Sequence, residues 1–558
     1  MSLRQTMSSF SIAAMMIASP AWAQTPEQPA EIRADRITQT VKTMTLDQFE
    51  GRAPGTAGED RTIGYLIGRF EALGLEPGGV DGSWTQPVPL LHTTLGKPQI
   101  LAMSVDGQTM ALDAGKDIYV STLQPNPMAV VEDAEMVFVG YGVAAPEREW
   151  DDFKNVDLTG KVAIFLVNDP DFAAASDESV AGKFGGKAMT YYGRWTYKFE
   201  EASRRGAVAA LIIHETEAAG YGWNVIESPQ GENYDIVRPA ADITSLALQG
   251  WISGDMAQRL FDNAGLDLAK LRIAARSSSF QPVALNAKFD ATYRVDQKVV
   301  KSQNVLGKIT GKSRPDETII YGAHWDAYGE GLPDADGRIY RAGANDDALG
   351  IAGIMEIARK FKSMPQADRS IIFAAWTAEE RGLLGSEAYA QAPIYPVEKT
   401  VANLAIDILQ TAGAAKDVIL VGKGQGTLED DLAKFAKLQG RVVTEESLPE
   451  RGLFFRADHF SLAKQGVPVL LMMGFAGATD LVDGGREAGQ KWIDDYTGNC
   501  YHAACDAWSP DWDLTGAVQD IEVMFDIGND LARSNRWPEW KDGSEFKDLR
   551  DESATMRD

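Results

Sequence analysis

Six side chains that can bind a metal or move a proton stand at the ends of apolar runs or in the turns between elements in the second half of this 558-residue chain. His324 closes the run ETIIYGAH, and Asp326 follows two residues later, in reach of the imidazole's other nitrogen. A ligating histidine usually has that nitrogen fixed by such a carboxylate. Asp346 falls in GANDDALG, where Gly343 and Asn345 mark a turn before an amphipathic helix; taken alone, Asp346 or Asp347 reads as the helix N-cap. Glu379 and Glu380 close SIIFAAWTAEE, and Asp407 closes VANLAIDIL. Acids at the end of a buried strand are costly to leave unpaired, which favours a cation or a solvated edge. His502 lies in CYHAACD between the only two cysteines, Cys500 and Cys505. Those cysteines could bind a metal with it or form a disulfide around it. His324, Asp346, Glu380, Asp407 and His502 together offer two imidazoles and three carboxylates. That set suits zinc and suffices for two ions sharing one carboxylate. Glu379 is left over as a general base toward an activated water.

The elements that must hold these residues alternate between strand and helix. ETIIYGAHWD, SIIFAAWTAEE, TVANLAIDIL, DVILVG and VPVLLMMG read as buried strands. ALGIAGIMEIARKF, TLEDDLAKFAKLQG and LTGAVQDIEVMFDIGNDLARS read as helices between or after them. The pattern predicts an α/β fold, a mixed and mostly parallel sheet flanked by helices. Ligands in such sheets bind beyond the carboxyl ends of the strands. Residues 31 to 75 read as helical around the loop GRAPGTAG, and residues 476 to 499 as a long polar loop before His502.

Residues 130–285 have a different texture. The pattern FVGYG…DDFKNVDLTGKVAIFLVNDP…GAVAALIIH resembles a protease-associated domain, a small β-rich insert. The expected organisation is a signal peptide at 1–23, an amino-terminal part of the main domain at 24–129, the insert at 130–285, the main domain at 286–540 and a polar tail at 541–558. Arg4 followed by FSIAAMMIASPAWA reads as a secretory leader cleaved after Ala23, so the mature chain is expected to be exported, periplasmic or secreted. That run is too short for a transmembrane helix and no other approaches the needed length. The net charge of −26 repels phosphate backbones and argues against nucleic acid as a partner. His92 and His214 lie outside the motif set and are expected to be structural, and His459 to pack near the site.

GAHWDAYG, GANDDALG, TAEERGLLGS, NLAIDIL, DHFSLAKQGVP and CYHAACD, in that order, resemble the co-catalytic di-zinc aminopeptidases. That exopeptidase family includes bacterial leucyl aminopeptidases and glutamate carboxypeptidase. The resemblance implies two Zn2+ per chain: one held by His324 and Asp407, the other by Glu380 and His502, with Asp346 bridging. It implies Glu379 as the base and Tyr501 as a hydroxyl near the developing oxyanion. Some members carry a disulfide around this histidine, so Cys500–Cys505 is expected to be a bridge that stiffens the ligand loop. The implied substrate is a peptide or small aminoacyl compound. Ala503, Ala504 and Leu349 depart from the family pattern without touching a ligand position. Three alternatives share the fold: a carboxypeptidase on acidic dipeptides, for which no arginine cluster is evident in the sequence; a one-zinc glutaminyl cyclase; and a non-catalytic binding protein of the transferrin-receptor type.

Overall fold

The structure, a computed structural model, describes residues 29–227, 231–334 and 336–557. The expected leader at 1–23 lies outside the described residues. Helices α1 (Ala34–Met44) and α2 (Ala57–Ala72) come first, followed by the long strand β1 (Thr85–Val105). Next are β2 (Met128–Phe138), β3 (Val162–Leu166), α3 (Trp195–Arg204), β4 (Ala209–Ile213) and β5 (Leu248–Ile252). A 27-residue strand, β6 (Val283–Ile309), leads into β7 (Arg314–His324), α4 (Leu349–Lys362), β8 (Arg369–Trp376) and β9 (Thr400–Ile406). Strand β10 (Val469–Met472) and helices α5 (Gly485–Asp495) and α6 (Thr515–Arg533) complete the frame.

The main sheet runs β10-β9-β7-β8-β6, with the first four strands parallel and β6 antiparallel to β8. Strands β8 and β9 are buried along their whole length. They are apolar on both faces because helices cover both faces of a parallel sheet. Helix α4 packs against α1 and α6, and their apolar sides join these strands in one core. From β7 the chain crosses to β8 on one side and later to β9 on the other. The crevice at the carboxyl end of β7 is therefore a topological switch point.

Strands β1 and β6 pair with each other and extend past this sheet, and β6 also pairs with β2, from which β3, β4 and β5 continue in parallel. A second core fills this part, and it draws Leu95, Leu101 and Met103 from β1. The expected boundaries at 129/130 and 285/286 thus fall inside β2 and β6 rather than between elements. A long strand, β6, shared by two cores leaves no linker for a sequence to reveal.

Two further expectations change. Residues 476–499 are not one long loop: α5 occupies Gly485–Asp495. The described part of the expected tail, residues 541–557, is anchored: Phe546 is buried, and Arg550, also buried, donates from Nη1 to the Thr400 carbonyl at 3.1 Å. Polar composition concealed the few anchoring side chains. Among the described residues no helix is long and apolar enough to cross a membrane.

Candidate metal centre

Each of the six side chains stands at the carboxyl end of the parallel strands. His324 is the last residue of β7, Asp407 follows β9 directly, and Glu379 and Glu380 follow β8 in a 3-10 turn, Glu379–Arg381. Asp346 lies in the turn before α4, and His502 comes from the loop after α5. His324 Nε2 is 3.0 Å from Asp346 Oδ1 and 3.9 Å from both Asp407 Oδ1 and Glu379 Oε2. His502 Nε2 is 3.3 Å from Asp346 Oδ2 and 3.3 Å from Glu380 Oε2. Two ligand groups result, His324/Asp346/Asp407 and Asp346/Glu380/His502, with donor atoms in each within 4.8 Å of one another. Asp346 belongs to both.

The backbone around these residues is held in unusual conformations. Gly343 has φ +53°, and a Cβ there would meet the Asp346 carbonyl oxygen at 2.0 Å, so only glycine permits the turn that presents Asp346. Ala378 (φ 51°) and Leu383 (φ 63°) bracket the glutamates in left-handed conformations, and His502 itself has φ 60°. Such conformations cost about 1 kcal/mol each outside glycine and persist where the surroundings dictate them. Cys500 and Cys505 form a disulfide with Cα atoms 5.0 Å apart, enclosing His502 in a six-residue loop.

Residues that no motif announced complete the support. Arg52 is fully buried and donates to the carbonyls of Trp325 (2.7 Å), Gly343 (2.9 Å), Met44 (3.3 Å) and Ala342. One guanidinium thus ties the segment after His324 to the segment before Asp346. The Asp506 carboxylate accepts the N–H groups of Asn345 (2.9 Å) and Asp346 (3.1 Å) and the Tyr496 hydroxyl (3.1 Å). Asn345 Oδ1 accepts from Leu409 N–H at 3.1 Å and so ties this turn to the Asp407 loop. Asp506 closes the quoted CYHAACD motif, but nothing in that string tells what it holds. Asp347 is the helix cap: Oδ1 accepts from Gly350 N–H at 2.9 Å and Oδ2 from His324 N–H at 3.2 Å, which frees Asp346 for the cluster.

Asp326 is placed as expected, with a change of atom. His324 Nδ1 faces the Asp326 main-chain carbonyl at 3.1 Å, while the carboxylate stands 3.6 Å away and accepts from Glu379 N–H at 3.0 Å. Tyr501 packs its ring 3.7 Å from the His502 imidazole, and burial pushes its phenol well above the usual range. His459 is buried against Phe454, and that burial lowers its pKa to about 3. His92 pairs with Glu232 at 2.6 Å, and His214 meets the Tyr221 carbonyl at 3.0 Å; both stand apart from the cluster.

The donor set fits a divalent cation. If the His324 Nδ1–H donates to the carbonyl, Nε2 presents a lone pair toward the Asp346 carboxylate, and two acceptors 3.0 Å apart need positive charge between them. Asp407 Oδ1 is buried without a hydrogen-bond partner. Burial raises Asp407 to about 8, and burial together with neighbouring carboxylates raises Glu379 and Glu380 well above the usual range. Burial alone would lower His324, yet Glu379, Asp326 and Asp346 hold it well above its usual value. A cluster with this excess of carboxylates draws protons or cations to itself.

A carboxylate-and-imidazole cluster at the switch point of an α/β sheet is a candidate metal centre of an α/β protein. Residues 304–525 match the model of peptidase family M28. The chain is 25% identical over 287 residues to the probable lipoprotein aminopeptidase LpqL of Mycobacterium tuberculosis, covering 49% of this chain and 47% of that one. It is 38% identical over 113 residues to aminopeptidase NAALADL1 of Mus musculus, covering 19% of this chain and 14% of that one. The chain therefore spans about half the length of the first relative and a small part of the second. Among solved structures, the aminopeptidase from Aneurinibacillus sp. strain AM-1 aligns over 90% of this chain and 95% of that one, at 18% identity and a TM-score of 0.47.

Proposed function

We propose that the protein is an exported exopeptidase that holds two zinc ions and removes amino-terminal residues from peptides. The observation that carries this reading is the shared carboxylate: Asp346 presents one oxygen to His324 and the other to His502. Bound zinc would supply Lewis-acid polarisation of the scissile carbonyl and of a water molecule. The names of the family and of the relatives support peptide as the substrate class.

The chain's own residues would act as follows. Asp407 and Glu380 neutralise charge on either side of Asp346, and the two histidines fix the position of each ion. Glu379 stands 3.9 Å from His324 Nε2, with its backbone N–H anchored on Asp326. Its carboxylate takes a proton from the attacking water and delivers it to the leaving amine. Acidic groups around the site would favour a substrate's free ammonium. Tyr501 would donate toward the developing oxyanion. The leader at 1–23 and the net charge support an exported protein that does not bind nucleic acid. The sequence pattern supports a protease-associated character for the second core.

A second reading, cleavage of dipeptides in the manner of a carboxypeptidase, has one specific observation behind it. Arg194, 8% exposed and with a buried Nε lacking any partner, stands close enough to Arg456 for their like charges to interact, and Arg456 in turn acts on Asp407 and Tyr501. Neither arginine shares an ion pair with an acid among the described residues, so a substrate carboxylate would find a cationic wall there.

The test is hydrolysis of a panel of aminoacyl anilides and dipeptides by the zinc-loaded protein, with Glu379→Gln beside it. The expected result is a kcat about 10^3-fold lower in the variant at unchanged zinc content. Equal rates in the two proteins would remove Glu379 from its role.

A further inference from the structure

On the Glu380–His502 side, the rim of the site carries two guanidiniums to which the family's metal chemistry gives no task. Arg381 follows Glu380 directly. Arg341 belongs to a short strand, Tyr340–Arg341, that pairs with Gly329–Glu330. Both lie over the Tyr328 ring, with Cζ 5.2 Å (Arg381) and 5.3 Å (Arg341) from its centroid. Tyr328 in turn packs 4.5 Å from the His502 imidazole. Arg381 also lies 5.1 Å from the ring of Tyr234, which the strand Glu232–Ile236 brings up against β1. Arg341 and Tyr328 line the same small cavity as Asp346, Glu380 and His502.

Neither guanidinium forms an ion pair among the described residues. Arg341 donates from Nη2 to the carbonyls of Tyr328 (3.3 Å) and Glu330 (3.1 Å), while its Nε is buried with no partner. The Arg381 side chain has the two tyrosine rings as its contacts. Glu232, on the same strand as Tyr234, is engaged by His92 at 2.6 Å. Burial first and the Arg381 charge second lower the pKa of Arg341, against the opposite pull of Tyr328, Glu380 and Glu232. Stacking on tyrosine occupies the guanidinium faces and leaves the N–H edges available, and that planar fork matches a carboxylate in two-point contact.

We propose that Arg341 and Arg381, framed on Tyr328, form a subsite for a carboxylate of the substrate, so that the enzyme prefers peptides carrying negative charge beside the scissile bond. The proposal rests on the exopeptidase reading and narrows its substrate class. The carboxylate could come from the side chain of an acidic residue or from the free carboxyl end of a dipeptide.

The experiment uses the zinc-loaded full chain and two isosteric pairs. Glutamyl against glutaminyl 4-nitroanilide reads the side chain; Leu-Leu against Leu-Leu-amide reads the chain end. In at least one pair the charged member should have a kcat/KM about tenfold higher or more, and Arg381→Gln and Arg341→Gln should each reduce that ratio by about tenfold, mainly through KM. Arg381→Lys, which keeps the charge and loses the fork, should recover part of the ratio. Ratios near one in both pairs, or a preference that survives both Gln variants, would overturn the assignment. If no substrate of either pair is cleaved, the exopeptidase reading fails and the subsite is judged by thermal shift. Stabilisation of the zinc-loaded protein by L-glutamate but not L-glutamine, abolished in Arg381→Gln, keeps the subsite; equal shifts or none remove it.

Discussion

At the scale of single residues, the centre is a set of buried charges that are tolerable only together. Asp346 is held from behind by its own backbone N–H, which donates to the Asp506 carboxylate, and faces the two imidazoles in front. Asp506→Ala would leave the N–H groups of Asn345 and Asp346 without their acceptor and let the turn rotate. Zinc affinity, measured by competition with a chromogenic chelator, should fall about 10- to 100-fold, the usual effect of removing a group that orients a ligand. The ligand types themselves were legible in the sequence, because an Asp or Glu ending an apolar run is conspicuous and histidines are few. Asp506 and Asn345 were not, since their partners are main-chain atoms of a turn whose path no residue type announces. The choice between Asp346 and Asp347 as helix cap was equally closed: both satisfy the propensity, and only the three-dimensional position of His324 N–H separates them.

At the scale of elements, loops converge on the carboxyl end of β7 and must be fixed relative to one another. Arg52 does this from the turn between α1 and α2, and its contact with Ala342 spans 290 residues. Arg52→Met removes a buried cation from four carbonyls and should destabilise the fold by about 3 kcal/mol or more, read as a lower denaturant midpoint, with zinc content lowered as well. The loop GRAPGTAG was recognised as a breaker between helices, but a buried arginine inside it has no periodic signature. Helix α2 carries a second coupling. Glu59 is buried, with Oε1 accepting from Ser302 Oγ at 2.7 Å, and Ser302 Oγ lies 2.5 Å from Thr377 Oγ1, just ahead of the Glu379–Arg381 turn. Burial raises Glu59 to about 7. The folded state therefore holds this proton more tightly than the unfolded chain does. Its contribution to stability is full below the ordinary glutamate range and is lost as pH rises through about 7. Glu59→Gln should raise the melting temperature at pH 8 by a few degrees relative to the parent while changing it little at pH 4, as scanning calorimetry would record.

At the scale of the whole molecule, two cores share the long strand β6, which pairs with β1. The α/β character of the main part was legible because buried parallel strands read as unbroken apolar runs between amphipathic helices. Domain boundaries were not, because texture changes at about residue 130 while the second core recruits residues from Leu95 onward. The same arrangement explains why the arginines near the site escaped a linear reading. Arg194 comes from the second core, and Arg341 and Arg381 from different segments of the main part. Each is unremarkable where it stands in the chain, and only the folding of two layers onto one crevice makes them neighbours of the acids.

The central claim is that one shared carboxylate organises two metal ions, and metal content tests it most directly. The purified protein, dialysed against metal-free buffer and analysed by elemental mass spectrometry beside protein concentration, should hold about two zinc ions per chain, with Asp346→Asn losing both under the same dialysis. One zinc or none in the parent protein, or two retained by Asp346→Asn, would contradict the account.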